Sequence, residues 1–189
     1  MERTPEAQAS EQFRMRWSPR AFTGEAVTVV QLQQLFEAAR WAPSCFNSQP
    51  WRFVYATRDS QHWESLLGLL VDANQEWAHR AGALIAVVAK TTFDNDKPAP
   101  THSFDAGSAW MSMALQAREM GLVTHAMWGF HHDQAAETLG LPDDFATQAM
   151  VAVGYQGDKS VLSEKSQERE APSPRKSIAE ISFEGKLTT

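Results

Sequence analysis

Arg16, Ser18 and Arg20 stand two residues apart in the stretch RWSPRAF. In an extended backbone alternate side chains leave the same side of the chain, so all three can face one partner. Two guanidinium groups and a hydroxyl on one face make an anion site, and the planar forks suit a phosphate. Arg175 and Lys176, far along the chain, could close over the same group. Ordinary surface charge is the alternative, and spacing alone does not choose between them. A second constellation lies in residues 38–53, AARWAPSCFNSQPWRF. There Ser44, Asn47, Ser48 and Gln49 sit between Pro43 and Pro50. Amides carry both donors and acceptors, which the edge of a flat heterocycle with alternating N–H and C=O groups requires. A turn that satisfies only itself is the other reading.

Many common chemistries leave no signature. GxSxG, HExxH, paired CxxC, Walker and GxGxxG patterns are all absent. His131 and His132 are adjacent, so they cannot share one helical face, and a solvated turn suits them better than a metal. No metal site is therefore expected. Cys45 reads as a small loop residue rather than a redox thiol. Phe46 and Phe93 could stack on a substrate, whereas Trp51 and Phe53 read as core. Asp105 reads as a helix-start residue favoured by the macrodipole.

The elements that must carry these residues follow from periodicity. Residues 28–41 form the clearest helix: Thr28 with Gln31 makes a capping box, and Val27 with Leu32 a hydrophobic staple. Leu32, Leu35, Phe36 and Ala39 share its apolar face, and Pro43 ends it. Strands are expected at residues 51–56, 84–89 and 149–155, with a weaker one at 123–128. Helices are expected near 60–80, 105–120 and 133–139, with Gly121 as a C-terminal cap. The helix from Asp105 is apolar or small on nearly every side, as in a core or an oligomer interface. Residues 90–104 read as a surface loop or lid, and 156–177 as a long polar loop. Helices around a mixed sheet give an α+β, three-layer α-β-α reading.

The chain has 189 residues, the size of one domain, with 1–12 as a polar arm or the start of a first helix reaching Met15. A chain of this length buries roughly 70% of its unfolded surface and needs no staple. Its one cysteine excludes an internal disulfide and fits a reducing, cytoplasmic setting. The N-terminus shows no secretory pattern. The longest apolar run, residues 83–89, is too short to span a membrane. A net charge of -6 and a pI near 5.5 argue against a nucleic-acid partner.

The motifs RWSPRAF, AARWAPSCFNSQPWRF, HAMWGF and LGLPDDFATQAMVAVGYQG, in that order, resemble the nitroreductase family of FMN-dependent oxidoreductases. The resemblance runs from about Phe13 to Phe183. It implies a nitroreductase-like fold and a homodimer with FMN at the subunit interface. It also implies NADH or NADPH as electron donor and a small-molecule electron acceptor, exchanged in a ping-pong mechanism. Arg16, Trp17 and Ser18 match the segment at the FMN phosphate and ribityl end, and Arg20 the cation beside the flavin N1/O2 edge. Pro43, Ser44, Cys45 and Asn47 match the loop that reaches the partner's flavin. Asn74 matches an asparagine near the ring and ribityl chain. Met127, Trp128 and Gly129 match the segment whose backbone N–H groups approach N5/O4. Arg175 matches a late phosphate-binding arginine, and residues 178–189 an extension onto the partner subunit. Three departures stand out: Ser173 replaces a common lysine, Ser177 a common proline, and Trp128 a glutamate of larger members. The function implied is hydride transfer to quinones, nitroaromatics or similar acceptors. A flavin-binding sensor or carrier, and a branch with other reductive chemistry such as dehalogenation, are the alternatives.

Overall fold

A computed structural model describes residues 3–188; Met1, Glu2 and Thr189, the outer ends of the expected arm and tail, lie outside the described residues. The chain runs α1 (Glu11–Met15), α2 (Val29–Arg40), β1 (Trp51–Thr57), α3 (Trp63–Gly68), α4 (Asp72–Ala78) and β2 (Ala83–Lys90). It continues through α5 (His102–Glu119), β3 (Val123–Met127), α6 (His132–Leu139), β4 (Phe145–Gly154) and α7 (Glu164–Gln167). The strands form one sheet in the order β1-β2-β4-β3. Every pairing in it is antiparallel, which corrects the expected mixed sheet within the described residues.

The sheet is covered on both faces, and alternation along β2 shows how. Ala83, Ile85, Val87 and Ala89 pack with Leu32, Leu35, Ala106, Ala109 and Met113 of α2 and α5. Leu84, Ala86 and Val88 pack with Trp63, Leu66, Trp77, Ala78 and Ala135 of α3, α4 and α6. Because both sets of side chains are buried, β2 reads as a continuous apolar run rather than an alternating one. The three layers expected from sequence are therefore present.

Local chemistry sets the ends of the elements. The Thr28 side chain accepts from the Gln31 N–H at 3.2 Å, and Gln31 Oε1 accepts from the Thr28 N–H at 3.0 Å, so the capping box forms. Gly121 takes φ +74° just beyond α5, a left-handed conformation that glycine adopts without Cβ strain. Two expectations need revision. The helix near 60–80 is two short helices, because Leu70 bridges to Phe130 and the Val71 N–H donates to the Gly129 carbonyl. β4 starts at Phe145, four residues early; Gln148 is skipped as the register against β2 shifts between Val87 and Val88. That bulge breaks the alternation a periodicity reading depends on.

Helix α5 is buried on one face rather than on nearly every side. Ala106, Ala109, Met113, Ala114 and Ala117 face the core, while Trp110, Met111 and Leu115 are half-buried and Phe104 is 81% exposed.

Candidate functional site

The extended segment after α1 is pinned before it can present its arginines. Ala21 and Phe22 are fully buried. Phe22 bridges to Gln156, and the Gly157 N–H donates to the Ala21 carbonyl at 2.8 Å. A Cβ on Gly157 would stand 2.8 Å from the Phe22 backbone, so only glycine permits this approach. From the far end of the chain, Glu170 reaches back. Its carboxylate accepts the Arg20 N–H at 2.8 and 3.0 Å and the Ala21 N–H at 2.9 Å.

Pinned in this way, Arg16, Trp17, Ser18 and Arg20 line a cavity of about 310 Å³ beside the edge strand β3. Arg175 lines it too, together with Ser173 and three residues that sequence reasoning missed: Arg3, Arg169 and His125. Lys176 does not. Arg16 donates to Ser18 Oγ at 3.3 Å. The ion pairs among the described residues join Arg14 to Glu11, Arg40 to Glu37 and Lys90 to Asp144. Hence none of the five cavity arginines has a carboxylate within ion-pair distance among the described residues. Burial, then Arg175 and Arg3, depress the Arg16 pKa, as expected where like charges converge. In a chain of net charge -6, such a cluster is a local positive field of the opposite sign, one that could hold an anion.

His125, on β3, shows that field from within. Its Nδ1 lies 3.0 Å from the Pro19 carbonyl and its ring 4.7 Å from that of Trp77. The carbonyl can only accept, so Nδ1 carries the proton. Burial, aided by Arg20 and Arg16 and opposed by the Pro19 and Ser18 backbone, lowers its pKa to about 4. In the unfolded chain the value is 6.5. The unfolded state therefore binds more protons between these values, and stability is full above pH 6.5 and lost as pH falls toward 4. The gap corresponds to roughly 3 kcal/mol. Urea unfolding of the ligand-free protein from pH 7 to 4 should show that loss, and His125→Gln should flatten it. An unchanged slope in the variant would contradict the assignment.

A second group gathers where β3 ends. Met127 is buried and Trp128 is 72% exposed. The Gly129 carbonyl accepts both Asn74 Nδ2 at 2.9 Å and the Val71 N–H at 3.1 Å. A Cβ on Gly129 would fall 2.7 Å from Asn74 Nδ2, so this contact needs glycine. The break between α3 and α4 is what brings Asn74 here. His132, one of the adjacent pair, lies against the Phe130 ring and places Nε2 3.1 Å from the Trp128 carbonyl.

The 43–50 loop stands apart from both groups. It feeds β1, at the opposite edge of the sheet from β3. Three strand spacings, roughly 14 Å, separate those edges. Within one chain the structure therefore does not bring Pro43, Ser44, Cys45 and Asn47 to the arginine cavity. The loop is strained: Phe46, Asn47 and Gln49 take φ of 52°, 55° and 45°. Left-handed backbone costs a non-glycine residue about 1 kcal/mol or more, and it persists only where the surroundings enforce it. Ser44 Oγ accepts the Gln49 N–H at 3.0 Å. Asp105, 3% exposed, accepts the Cys45 N–H at 3.3 Å and the Thr101 hydroxyl at 3.1 Å. Asp105 is thus a first-turn residue of α5, as expected, and also the anchor of this loop. Phe46, 90% exposed, meets Phe93 edge-on at 5.9 Å.

The segments that build these features match a known family. The Nitroreductase family model matches residues 13–70 and 60–155. An uncharacterised 15.4 kDa protein of Mycolicibacterium smegmatis is 35% identical over 144 residues, 71% of this chain and 96% of that relative. An NADH dehydrogenase of Thermus thermophilus is 28% identical over 79% of this chain and 87% of the relative. The crystal structure of an oxidoreductase containing FMN superposes with a TM-score of 0.95 at 44% identity, covering 98% of this chain and 96% of that one. With its three layers, its arginine-bearing segment and its β3 terminus inside the matched span, the chain belongs to the nitroreductase family.

Proposed function

We propose that this protein is an FMN-dependent oxidoreductase that takes electrons from NADH or NADPH and passes them to quinones, nitroaromatics or similar conjugated acceptors. The observation that carries the proposal is the cavity of five arginines with no carboxylate within ion-pair distance among the described residues. Guanidinium forks with the Ser18 hydroxyl and no acid fit a phosphate monoester. Arg16, Ser18 and Arg175 would hold that phosphate, with Trp17 against the ribityl end. Arg20 would place positive charge at the flavin N1/O2 edge. Asn74 would lie near the ring, and the Met127, Trp128 and Gly129 backbone at its N5/O4 side. Bound FMN supplies the hydride acceptor, so no side-chain nucleophile or metal is required. One shared pocket, with donor leaving before acceptor enters, fits a chain without a dinucleotide-binding motif.

The site is completed by a second copy of the chain. In support, the 43–50 loop lies at the far sheet edge from β3, its Phe46 is 90% exposed, and α5 carries Phe104 81% exposed. On this reading 1–189 is one domain whose tail, 178–189, lies on the partner. Among the described residues no helix is long and apolar enough to cross a membrane. The single cysteine fits the cytoplasm.

Purified protein should be yellow, and NADH or NADPH should bleach it without oxygen. A colourless protein that cannot be loaded with FMN overturns the cofactor, and a yellow one that neither nucleotide reduces overturns turnover.

A further inference from the structure

The N-terminal arm reaches the arginine cavity, although nothing in its sequence marks it for that. Arg3 lines the cavity with Arg16 and Arg175. Its Nε donates to the Ser173 carbonyl at 3.2 Å, and its Nη1 to the carbonyls of Arg14 at 2.9 Å and Arg16 at 2.8 Å. One guanidinium thus ties the segment that carries Arg16 to the segment that carries Arg175. Among the described residues its Nη2 meets no acceptor. A second tie lies nearby: Glu6 accepts the Ile178 N–H at 2.8 Å, again joining arm to tail. Arg14 Nη1 in turn approaches the Arg3 carbonyl at 3.4 Å.

Three backbone carbonyls do not neutralise a guanidinium; they orient it. Holding a fifth cation beside four others is unfavourable, and burial and Arg175 both depress the Arg3 pKa. An anion in the cavity would turn that repulsion into attraction for every arginine at once. We infer that Arg3 is an anion-binding residue of this cavity and that the arm is its latch, closing over the phosphate end of the bound cofactor. The identity of the cofactor rests on the proposed function; the role of Arg3 toward a phosphate does not.

The test uses full-length protein and two probes. Inorganic phosphate should raise the Tm of the ligand-free wild type, and Arg3→Ala should lose most of that rise. FMN should bind Arg3→Ala about tenfold or more weakly, the usual consequence of removing a charge-assisted hydrogen bond, while riboflavin, lacking the phosphate, binds both alike. Arg3→Lys keeps the charge but not the fork that spans three carbonyls, so it should recover part of the phosphate effect and still release FMN faster. An equal phosphate-induced rise in wild type and Arg3→Ala overturns the inference. So does an equal FMN affinity. A wild type that takes no flavin, yet loses its phosphate effect with Arg3→Ala, overturns the cofactor assignment and leaves the latch standing.

Discussion

Arg16→Ala is expected to weaken FMN binding by about 10- to 150-fold, the equivalent of 1.5–3 kcal/mol for a charged hydrogen bond. The side chain is half-buried, directed at Ser18 Oγ, and has no carboxylate partner among the described residues. Its charge is therefore available to a ligand rather than shared with the fold. The backbone at this position has a separate task, since its carbonyl accepts from Arg3, and alanine retains that carbonyl. Loss of affinity should thus come without loss of fold. Removing a cation that Arg175 and Arg3 repel should leave the ligand-free protein at least as stable as wild type. Flavin fluorescence titration measures the first effect and urea unfolding the second. The defect should shrink as salt screens the partly exposed site. A variant that keeps wild-type FMN affinity would remove Arg16 from the phosphate site.

The residues that were legible in the sequence act locally. Thr28 and Gln31 lie three apart and cap α2, Pro43 stands three residues beyond its end, and β2 announces itself by seven consecutive apolar residues, 83–89. Arg16, Ser18 and Arg20 do line one cavity, but Trp17 between them lines it too, so strict alternation does not describe this segment. What escaped depends on contacts between distant segments. Nothing in residues 60–80 signals that Leu70 will bridge to Phe130 and split a helix, yet that split delivers Asn74 to Gly129. Gln148 looks like any strand residue until pairing with β2 shows it bulged. Arg3 and Ser173 are 170 residues apart, and Glu170 and Arg20 are 150 apart. Local periodicity holds no record of such pairs. His125 was invisible for another reason: its importance lies in burial beside arginines, and burial is a property of the packed chain.

Glu170→Ala is expected to cost about 2–6 kcal/mol of stability, because it leaves two backbone N–H groups without their acceptor at roughly 1–3 kcal/mol each. Both groups, on Arg20 and Ala21, meet this one carboxylate, and Ala21 is only 1% exposed. Urea unfolding of the ligand-free protein measures the loss directly. The effect on ligand binding separates two roles. Glu170 adjoins Arg169, which lines the cavity. Were it merely a negative charge near five arginines, removing it would strengthen the field and tighten an anion. As a clamp on the backbone that carries Arg16, Ser18 and Arg20, its removal must loosen the anion, because positions set to hydrogen-bonding precision would drift. Positioning should win: screening weakens a charge at a partly exposed site, whereas a misplaced guanidinium loses its bond outright. FMN affinity should therefore fall in Glu170→Ala despite the more positive site. Tighter binding of FMN would show that the carboxylate acts through its charge alone.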